Sequence, residues 1–328
     1  MHLVRPSLLF PGLIALWLVA LITAIASGSA DLSAGDVWRS VTGEAPDHIR
    51  QLVIDLRLPR ALTAFGTGGL LAVSGVLMQV LLRNPLAEPY ILGTSGGAAV
   101  AALLAMMLGF GAVVVDLSAF TGAMAATVLV FSIAQGSGSW TPTRLLLTGV
   151  VLAAGFSAAT TFLLALSPDK NLRGMLFWLM GDLNYAYAPA RSLWLLAVIS
   201  LAGTLMARHL NVLARGDVQA AIVGLPVKGF RLAVFAVTSV AIAVSVTTVG
   251  VIGFVGLVVP HLIRIVAGSD HRIVLPASAL AGGTLLVLAD TLARTLLAPR
   301  QLPVGALTAA LGVPLFLLLM SRYRIRDN

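Results

Sequence analysis

The sequence predicts an all-α polytopic membrane protein with about ten transmembrane helices, and three observations support this. First, 59% of the 328 residues are hydrophobic and only 10% are charged, against about 45–50% and about 25% in soluble domains. Second, the apolar runs are continuous and rich in Leu, Ala and Val, whereas strands of a membrane barrel alternate apolar and polar residues. Third, a helix crosses the hydrocarbon core in about 20 residues, so the chain length allows roughly ten spans.

The expected spans follow one another closely enough for a single transmembrane domain, residues 1–328. The first apolar run, from Leu8 to Ile25, is longer than the apolar part of a typical signal peptide, about 7–15 residues, and we interpret it as a span. The longest polar stretch, 31–60, comes directly after it. Run length and periodicity place the spans at 8–28, 61–82, 91–110, 117–135, 143–166, 191–208, 231–249, 252–267, 274–297 and 304–321.

The distribution of charge predicts the orientation of these spans. With a cytoplasmic N-terminus, twelve of the 21 lysines and arginines fall on the cytoplasmic side and nine on the other, while only four of the 13 acidic residues are cytoplasmic. Basic residues are enriched in cytoplasmic loops of membrane proteins. An even number of spans then puts both termini in the cytoplasm. The net charge of +8 is therefore interpreted as a topology signal and not as a nucleic-acid surface.

Few side chains in this sequence suit chemical catalysis. There is no cysteine, which excludes thiolate metal sites. Neither lysine belongs to a phosphate-binding loop, because Lys170 precedes Asn171 and Lys228 precedes Gly229. The five histidines show no metal-binding spacing, and a lone histidine such as His261 is more often a packing residue. The sequence predicts no catalytic residue, no metal site and no cofactor.

Residues 57–99 depart from a plain apolar hairpin. The apolar run stops at Arg83-Asn84-Pro85 and restarts through Glu88-Pro89 into a Gly-Thr-Ser-Gly-Gly stretch. Both prolines lack a backbone N–H and interrupt the helix. Irregular backbone beside a span persists only where protein groups or a water-filled path satisfy its polar atoms. We therefore expect this turn to be buried in protein or to line a path.

A second segment, 209–230, is too apolar for a solvated linker. It has a helical composition, is cut at Gly224-Leu225-Pro226 and exposes the run from Val218 to Val223 if it is surrounded by water. A short amphipathic helix that inserts into a groove of a partner protein explains this composition better.

Four charged residues near span ends require an interpretation. Asp290 precedes Arg294 by four residues inside an apolar run, which favours an i,i+4 ion pair over a proton relay. Arg57 and Arg60 flank Leu58-Pro59 at the expected outer end of a span, and Arg294 lies near the outer end of another. Taken alone, such arginines are typical of interfacial side chains that reach toward water.

Three sequence strings occur in one order along the chain: RNPLAEP at 83–89, FWLMGDL at 177–183 and GFVGLVVPHLIR at 253–264. With them the chain resembles the ABC importer permeases that move iron-siderophore, haem and vitamin B12 complexes into bacteria. The resemblance covers most of the chain, and the N-terminal part and residues 110–140 are generic. Arg215 departs from it, because many relatives have an apolar residue there.

The resemblance implies a type II ABC importer permease in the bacterial inner membrane. The permease forms a homodimer or heterodimer around a central path, with two cytoplasmic ATPase subunits and a periplasmic substrate-binding protein. It implies that segment 209–230 docks on the ATPase through Gly216, Asp217, Ala220, Ala221, Gly224, Leu225 and Pro226. It implies that Arg57, Arg60 and Arg294 face glutamates of the binding protein. It implies gate or pathway roles for Asn84, Leu86, Thr141, Pro142, Thr143, Gly149 and Thr160.

The predicted function is therefore that of a permease subunit of an ATP-driven importer for an iron chelate, haem or cobalamin, with ATP hydrolysed by a separate chain. The sequence leaves the choice among these chelates open. The alternative is an ion-coupled secondary transporter of a small solute, which is disfavoured because no buried acid–base pair marks an ion path. A membrane-embedded enzyme is disfavoured by the lack of metal-ligand spacing or a Ser/Lys dyad in the spans.

Overall fold

The computed structural model describes residues 4–28, 32–136, 141–184 and 189–324, and these fold into helices without any strand among them. A π-helical turn, Gln51–Arg57, joins α3 to α4, and a 3₁₀ turn, Pro89–Leu92, precedes α5. The α-helices are α1 (Pro6–Ala26), α2 (Ala34–Thr42), α3 (Asp47–Arg50), α4 (Leu58–Leu82), α5 (Thr94–Met107), α6 (Ala112–Gln135), α7 (Pro142–Leu166), α8 (Asp169–Met180), α9 (Pro189–Leu205), α10 (Ala207–Ala214), α11 (Asp217–Ile222), α12 (Val227–Val249), α13 (Val255–Ala267), α14 (His271–Thr295) and α15 (Val304–Arg324).

Each of the ten expected spans corresponds to an apolar helix, although not all of these are of full membrane length. Six helical segments are long and apolar enough to cross a membrane: α1, the continuous segment Asp47–Leu82, α6, α7, α12 and α14. The pair α9 and α10 makes a seventh if it counts as one span, bent by 68°. Helices α5 and α13, and α15 over Val304–Leu319, are shorter apolar helices. The chain is a multi-pass, all-helical membrane protein, and ten is an approximate number of spans.

Helix α4 lies at the centre of the bundle. In the span that includes it, 94% of the most apolar window is buried, and α4 packs against α9, α12, α13 and α14. Glycines allow this crowding, because a Cβ on Gly75 would collide with the carbonyl of Gly256 and one on Gly68 with the carbonyl of Gly282. Small residues at such crossings let membrane helices approach closely.

Helix α7 lies at the opposite extreme of burial. Only 6% of its span window is buried within the chain, and large apolar side chains on it are exposed, among them Val151 at 70% and Phe162 at 69%. A helix that is apolar but unburied in its own protomer faces lipid or another chain. Two spans of equal length, α4 and α7, thus mark the interior and the edge of the protomer.

Candidate functional site

The segment 209–230 folds as the sequence predicts, with a short helix that ends before Gly224. Helix α10 ends at Ala214, Gly216 has a φ of +124° and α11 then runs from Asp217 to Ile222. Gly224 has a φ of +86°, a conformation that side chains rarely adopt. Leu225 packs against the core and Pro226 caps the start of α12. The two glycines therefore set α11 apart as a separate element.

One aspartate ties α11 to the bundle. Asp217 accepts a hydrogen bond from Arg83 at 3.2 Å and another from Arg231 at 2.9 Å, both through Oδ2. Arg83 follows the end of α4 and Arg231 lies in the first part of α12. We call these three residues the Asp217 cluster. It connects the short helix to two membrane helices at once.

The two faces of α11 differ in burial. Ala220 is fully buried, and its carbonyl accepts from the Leu225 N–H at 3.0 Å. On the outside of the same turn, Val218 is 75% exposed, Ile222 80% and Val223 72%, and Ala221 is also exposed. Three large aliphatic side chains on one small helix make an apolar surface of the kind that marks a protein-binding site.

Helix α10 is anchored separately, on the start of α14. Asn211 Nδ2 donates to Asp270 Oδ1 at 2.8 Å. Asn211 Oδ1 accepts from the His271 N–H at 3.0 Å and lies 2.6 Å from His271 Nδ1. The Asn211 side chain, together with the Arg272 N–H, holds the pKa of Asp270 below its usual value. Together with the Asp217 cluster, this junction connects residues 207–222 to α4, α12 and α14.

The irregular turn after α4 is held by side-chain and backbone groups of the protein. Arg83 adopts a φ of +50°, and Asn84 Oδ1 then accepts from the Leu86 N–H at 2.9 Å. Glu88 Oε1 accepts from the Phe254 N–H at 3.1 Å, and the Tyr90 hydroxyl from the Ile252 N–H at 3.3 Å. The turn therefore supports the irregular connection between α12 and α13. This agrees with the expectation that protein groups satisfy its backbone.

The other predicted gate residues lie on α7. Thr141 caps this helix by accepting from the Arg144 N–H at 3.3 Å, and Pro142 occupies its first turn, followed by Thr143. The loop just before Thr141, residues 137–140, lies outside the described residues. Gly149 packs against the backbone of Ile91 and Leu92, so the structure brings α7 against the segment that follows Asn84 and Leu86. Thr160, further along α7, is half-buried.

At the other end of α4, the three predicted docking arginines point into the protein. Asp290 accepts from Arg60 at 2.8 Å and from Arg294 at 3.2 Å, with the aspartate side chain 2% exposed and the arginines 13% and 10%. Asn184 Oδ1 also accepts from Arg60, at 3.0 Å. We call Arg60, Asp290 and Arg294 the Asp290 cluster. The expected i,i+4 ion pair between Asp290 and Arg294 is confirmed.

Arg57 is buried as well, at 5% exposure, and donates to the carbonyls of Ile25 at 2.7 Å and Ala26 at 2.9 Å. Arg294 donates to the carbonyls of Ala24 and Ser27. The last carbonyls of a helix lack partners within it and carry partial negative charge, so two cations stabilise them. The arginines are therefore not exposed at an outer rim, and their contact with a binding protein stays a prediction.

The partners that lie far apart along the chain were not predictable from the sequence. Arg60 and Asp290 are 230 residues apart, and no local pattern relates them. Asn211 gave no signal of its own, since an asparagine in a polar segment is unremarkable.

Among the described residues, no group of three or more His, Cys, Asp or Glu side chains is placed to hold a metal ion.

Comparison with known proteins agrees with this architecture. The sequence profile described as the FecCD transport family matches residues 16–322. The hemin transport system permease protein HmuU of Yersinia pestis is 41% identical over 98% of this chain and 97% of its own length. The vitamin B12 import system permease protein BtuC of Escherichia coli O139:H28 is 39% identical over 93% of this chain and 92% of its own length.

Solved structures show the same fold. A structure described as an inward-facing conformation of a metal-chelate type ABC transporter superposes with a TM-score of 0.85, at 31% identity, over 97% of this chain and all of that chain. PsaBC from Streptococcus pneumoniae, solved with a Fab, superposes with a TM-score of 0.56 at 15% identity over 86% of this chain and 94% of that one, a likeness of fold alone.

Proposed function

The chain belongs to the FecCD transport family of ABC importer permeases, and from this premise we propose that it moves a large metal chelate inward across the bacterial inner membrane, using ATP hydrolysed by separate cytoplasmic subunits. The class of chelate is haem, cobalamin or an iron siderophore. The two relatives described above are named for hemin and for vitamin B12. Selection among chelates rests mainly with the substrate-binding protein.

The apolar surface of α11 is the observation that carries this proposal. Val218, Ile222 and Val223 point away from the protein, while Asp217 holds the helix on α4 and α12. A partner protein can bind the apolar side of such a helix, and the anchored side would transmit the partner's movement to α4 and α12. We assign the ATPase contact to this surface and to the flanking Gly216, Ala221 and Gly224, and we place both termini in the cytoplasm.

The exposed α7 supports the dimer. Its apolar side chains are unburied in the protomer, and Gly149, in its N-terminal third, connects it to the turn at 84–92. In the proposed homodimer or heterodimer, the α7 helices of the two protomers line a central path with Thr160 on its wall, while Gly149 holds α7 against the turn. Movement of the turn at Asn84 and Leu86 would then reach the path directly.

At the opposite end we place the docking surface for the substrate-binding protein. Arg57, Arg60 and Arg294 are buried there. Their burial favours a role in positioning the ends of α1, α4 and α14 over direct contact with acidic residues of the partner. Any exposed charge that does meet the binding protein would act mainly on its association rate.

The double variant Val218→Asp with Ile222→Asp tests the coupling role. Both side chains are exposed, so the variant should fold normally, but the charges oppose docking on an apolar groove. We expect it to lose binding of the ATPase and chelate uptake in proteoliposomes that contain ATP. The matched control is Val41→Asp on α2, where the side chain is 66% exposed and lies on the predicted opposite side of the membrane.

The outcomes separate the alternatives. Normal uptake in the double variant would remove α11 from the coupling surface. Uptake driven by an ion gradient without ATP would favour the secondary transporter. Comparing uptake of haem, cobalamin and ferric siderophores in the same vesicles identifies the chelate.

A further inference from the structure

A cavity of about 520 Å³ opens where the ends of α4, α10, α13 and α14 meet. This volume lies within the range of small-molecule sites, roughly 300–1,000 Å³. Its lining includes Arg83, Arg215 and Arg264, with Asp270 as the single acidic residue among those that line it. The cavity therefore concentrates positive charge in a concave space beside the segment 209–230.

Two of the three arginines lack a carboxylate partner. Within the described part of the chain, no Asp or Glu lies within ion-pair distance of Arg215 or Arg264. Arg264 donates a hydrogen bond to the neutral side chain of Gln79, which also lines the cavity. Arg215 is exposed to the cavity mouth and makes no described hydrogen bond through its side chain. A guanidinium group without a carboxylate partner can bind an oxyanion such as phosphate through two parallel hydrogen bonds.

His271 adds a buried polar atom without a partner. Its side chain is 4% exposed and lines the cavity, and Nε2 has no hydrogen-bond partner among the residues that the structure describes. Nδ1 faces Asn211 Oδ1, an acceptor, and therefore carries the proton. The free Nε2 can then accept from a hydroxyl of a ligand. Buried polar atoms normally have a hydrogen-bond partner, and a ligand in the cavity would supply one for Nε2.

The remaining charges do not neutralise the site. Asp270 Oδ1 is already engaged by Asn211 Nδ2 and the Arg272 N–H. Arg83 shares Asp217 with Arg231, and its side chain is 36% exposed. The cavity thus combines two guanidinium groups without a carboxylate partner, one guanidinium that shares Asp217, and an imidazole nitrogen without a hydrogen-bond partner.

We propose that this cavity binds a phosphate group, held by Arg215 and Arg264, with a hydroxyl of the same ligand directed at His271 Nε2. The group could be carried by the headgroup of an anionic phospholipid or be a free phosphate. Basic pockets between membrane helices on the cytoplasmic side bind anionic lipid headgroups. The cytoplasmic location rests on the proposed function, whereas the anion site itself rests on the side chains alone.

The test measures anion binding by the full-length purified permease, without ATP or a binding protein, so its result is independent of transport. Native mass spectrometry compares retention of phosphatidylglycerol with retention of the zwitterionic phosphatidylcholine. Equilibrium dialysis with radiolabelled inorganic phosphate measures the free anion. The variants are Arg215→Gln, Arg264→Gln and the double variant, and the matched control is Arg208→Gln, an exposed arginine of α10 outside the lining.

We expect the wild-type protein to bind at least one probe, and each single variant to weaken that binding about tenfold, the effect of losing one charge-assisted hydrogen bond. The control should bind like the wild type. Retention of phosphatidylglycerol alone identifies a headgroup site, and binding of phosphate alone identifies a free-anion site. If Arg264→Gln aggregates, the result for Arg215→Gln decides. Equal binding by wild type and Arg215→Gln, or an equal loss in Arg208→Gln, overturns the proposal.

Discussion

Each end of the helix bundle is held by one aspartate between two arginines, and the two clusters differ mainly in burial. In the Asp290 cluster the aspartate side chain is 2% exposed and its partners 13% and 10%. In the Asp217 cluster the aspartate is 35% exposed and its partners 36% and 9%. The same chemical arrangement therefore operates in two different dielectric environments.

This difference in burial predicts different roles. Removing one partner of a buried ion pair strongly destabilises the protein, because the remaining charge is then left unpaired and away from water. A half-exposed pair competes with water and contributes little to stability. The Asp290 cluster also meets the carbonyls at the end of α1, so it fixes three helices. The Asp217 cluster instead attaches the short α11 to the end of α4 and the start of α12, which suits an element whose contacts change when a partner binds.

Replacing Asp290 should have the largest effect on stability. The Asp290→Asn variant keeps the shape of the side chain but leaves Arg60 and Arg294 buried without a counter-charge. We expect a loss of about 3–5 kcal/mol in the free energy of unfolding, typical of a broken buried pair. The measurement is thermal unfolding of the purified protein in detergent, together with the yield of monodisperse protein.

The matched control is Asp36→Asn on α2, where the aspartate pairs with Arg39 at 2.6 Å and the arginine is 53% exposed. We expect that variant to unfold close to the wild-type temperature, because an exposed pair contributes little to stability and the asparagine keeps an oxygen that can accept from Ser33. Similar losses in both variants would mean that burial does not distinguish the two clusters, and the comparison between the ends of the bundle would fail.

Replacing Asp217 should separate stability from coupling. The Asp217→Asn variant loses the charge that Arg83 and Arg231 share. Asp217 and Arg83 are 35% and 36% exposed but Arg231 is only 9% exposed, so we expect a destabilisation of about 1–3 kcal/mol, smaller than that of Asp290→Asn. Stimulation of the ATPase by the loaded binding protein should nevertheless fall strongly, since α11 is no longer held on α4 and α12. The measurements are thermal unfolding and ATP hydrolysis in the reconstituted complex.

A charge reversal checks the mechanism. The double variant Asp217→Arg with Arg83→Asp exchanges the two charges and should restore part of the coupling that Asp217→Arg alone loses. Full coupling in Asp217→Asn, with normal stability, would show that the apolar contacts of Ala220 and Leu225 suffice to hold the helix.

The membrane helices could be predicted because apolar run length is a local property. All ten expected segments are helical, including 191–208, whose helix breaks at Met206 before α10 continues. What composition could not show is the length that each helix keeps. Thr94–Met107 and Val255–Ala267 are short because the backbone before each is irregular, and that depends on the Glu88 and Tyr90 contacts made across the fold.

The candidate site divides in the same way. Helix α11 and the ion pair of Asp290 with Arg294 follow from neighbouring residues, and both were predictable. The arginine partners of Asp217 and the inward direction of Arg57 were not. A charge near the end of a span indicates its depth in the membrane, but not which side of the helix faces the protein. That direction is set by helix packing, here by the carbonyls at the end of α1.

Glu88 extends the comparison to a carboxylate without an arginine, and it should give the smallest effect. It accepts from the Phe254 N–H at 3.1 Å, and burial raises its pKa above the usual 4.5, only partly offset by that hydrogen bond. A raised carboxyl pKa means that the folded state favours the protonated form. Its contribution to stability is therefore complete below the ordinary pKa and is lost as pH rises through the raised one.

The Glu88→Gln variant removes this titration while its Oε1 can still accept from the Phe254 N–H. We expect its stability to match the wild type near pH 4, below the ordinary carboxyl pKa of 4.5, and to exceed it near pH 8, where the wild-type carboxyl has ionised in its buried site. Thermal unfolding across this pH range measures the difference, and Glu44→Gln, in the loop between α2 and α3, serves as the control. A difference that is constant with pH, or that falls as pH rises, would show that Glu88 is stabilised as an anion after all. The hydrogen bond from the Phe254 N–H would then stabilise the Glu88 carboxylate, as the two arginines stabilise that of Asp290.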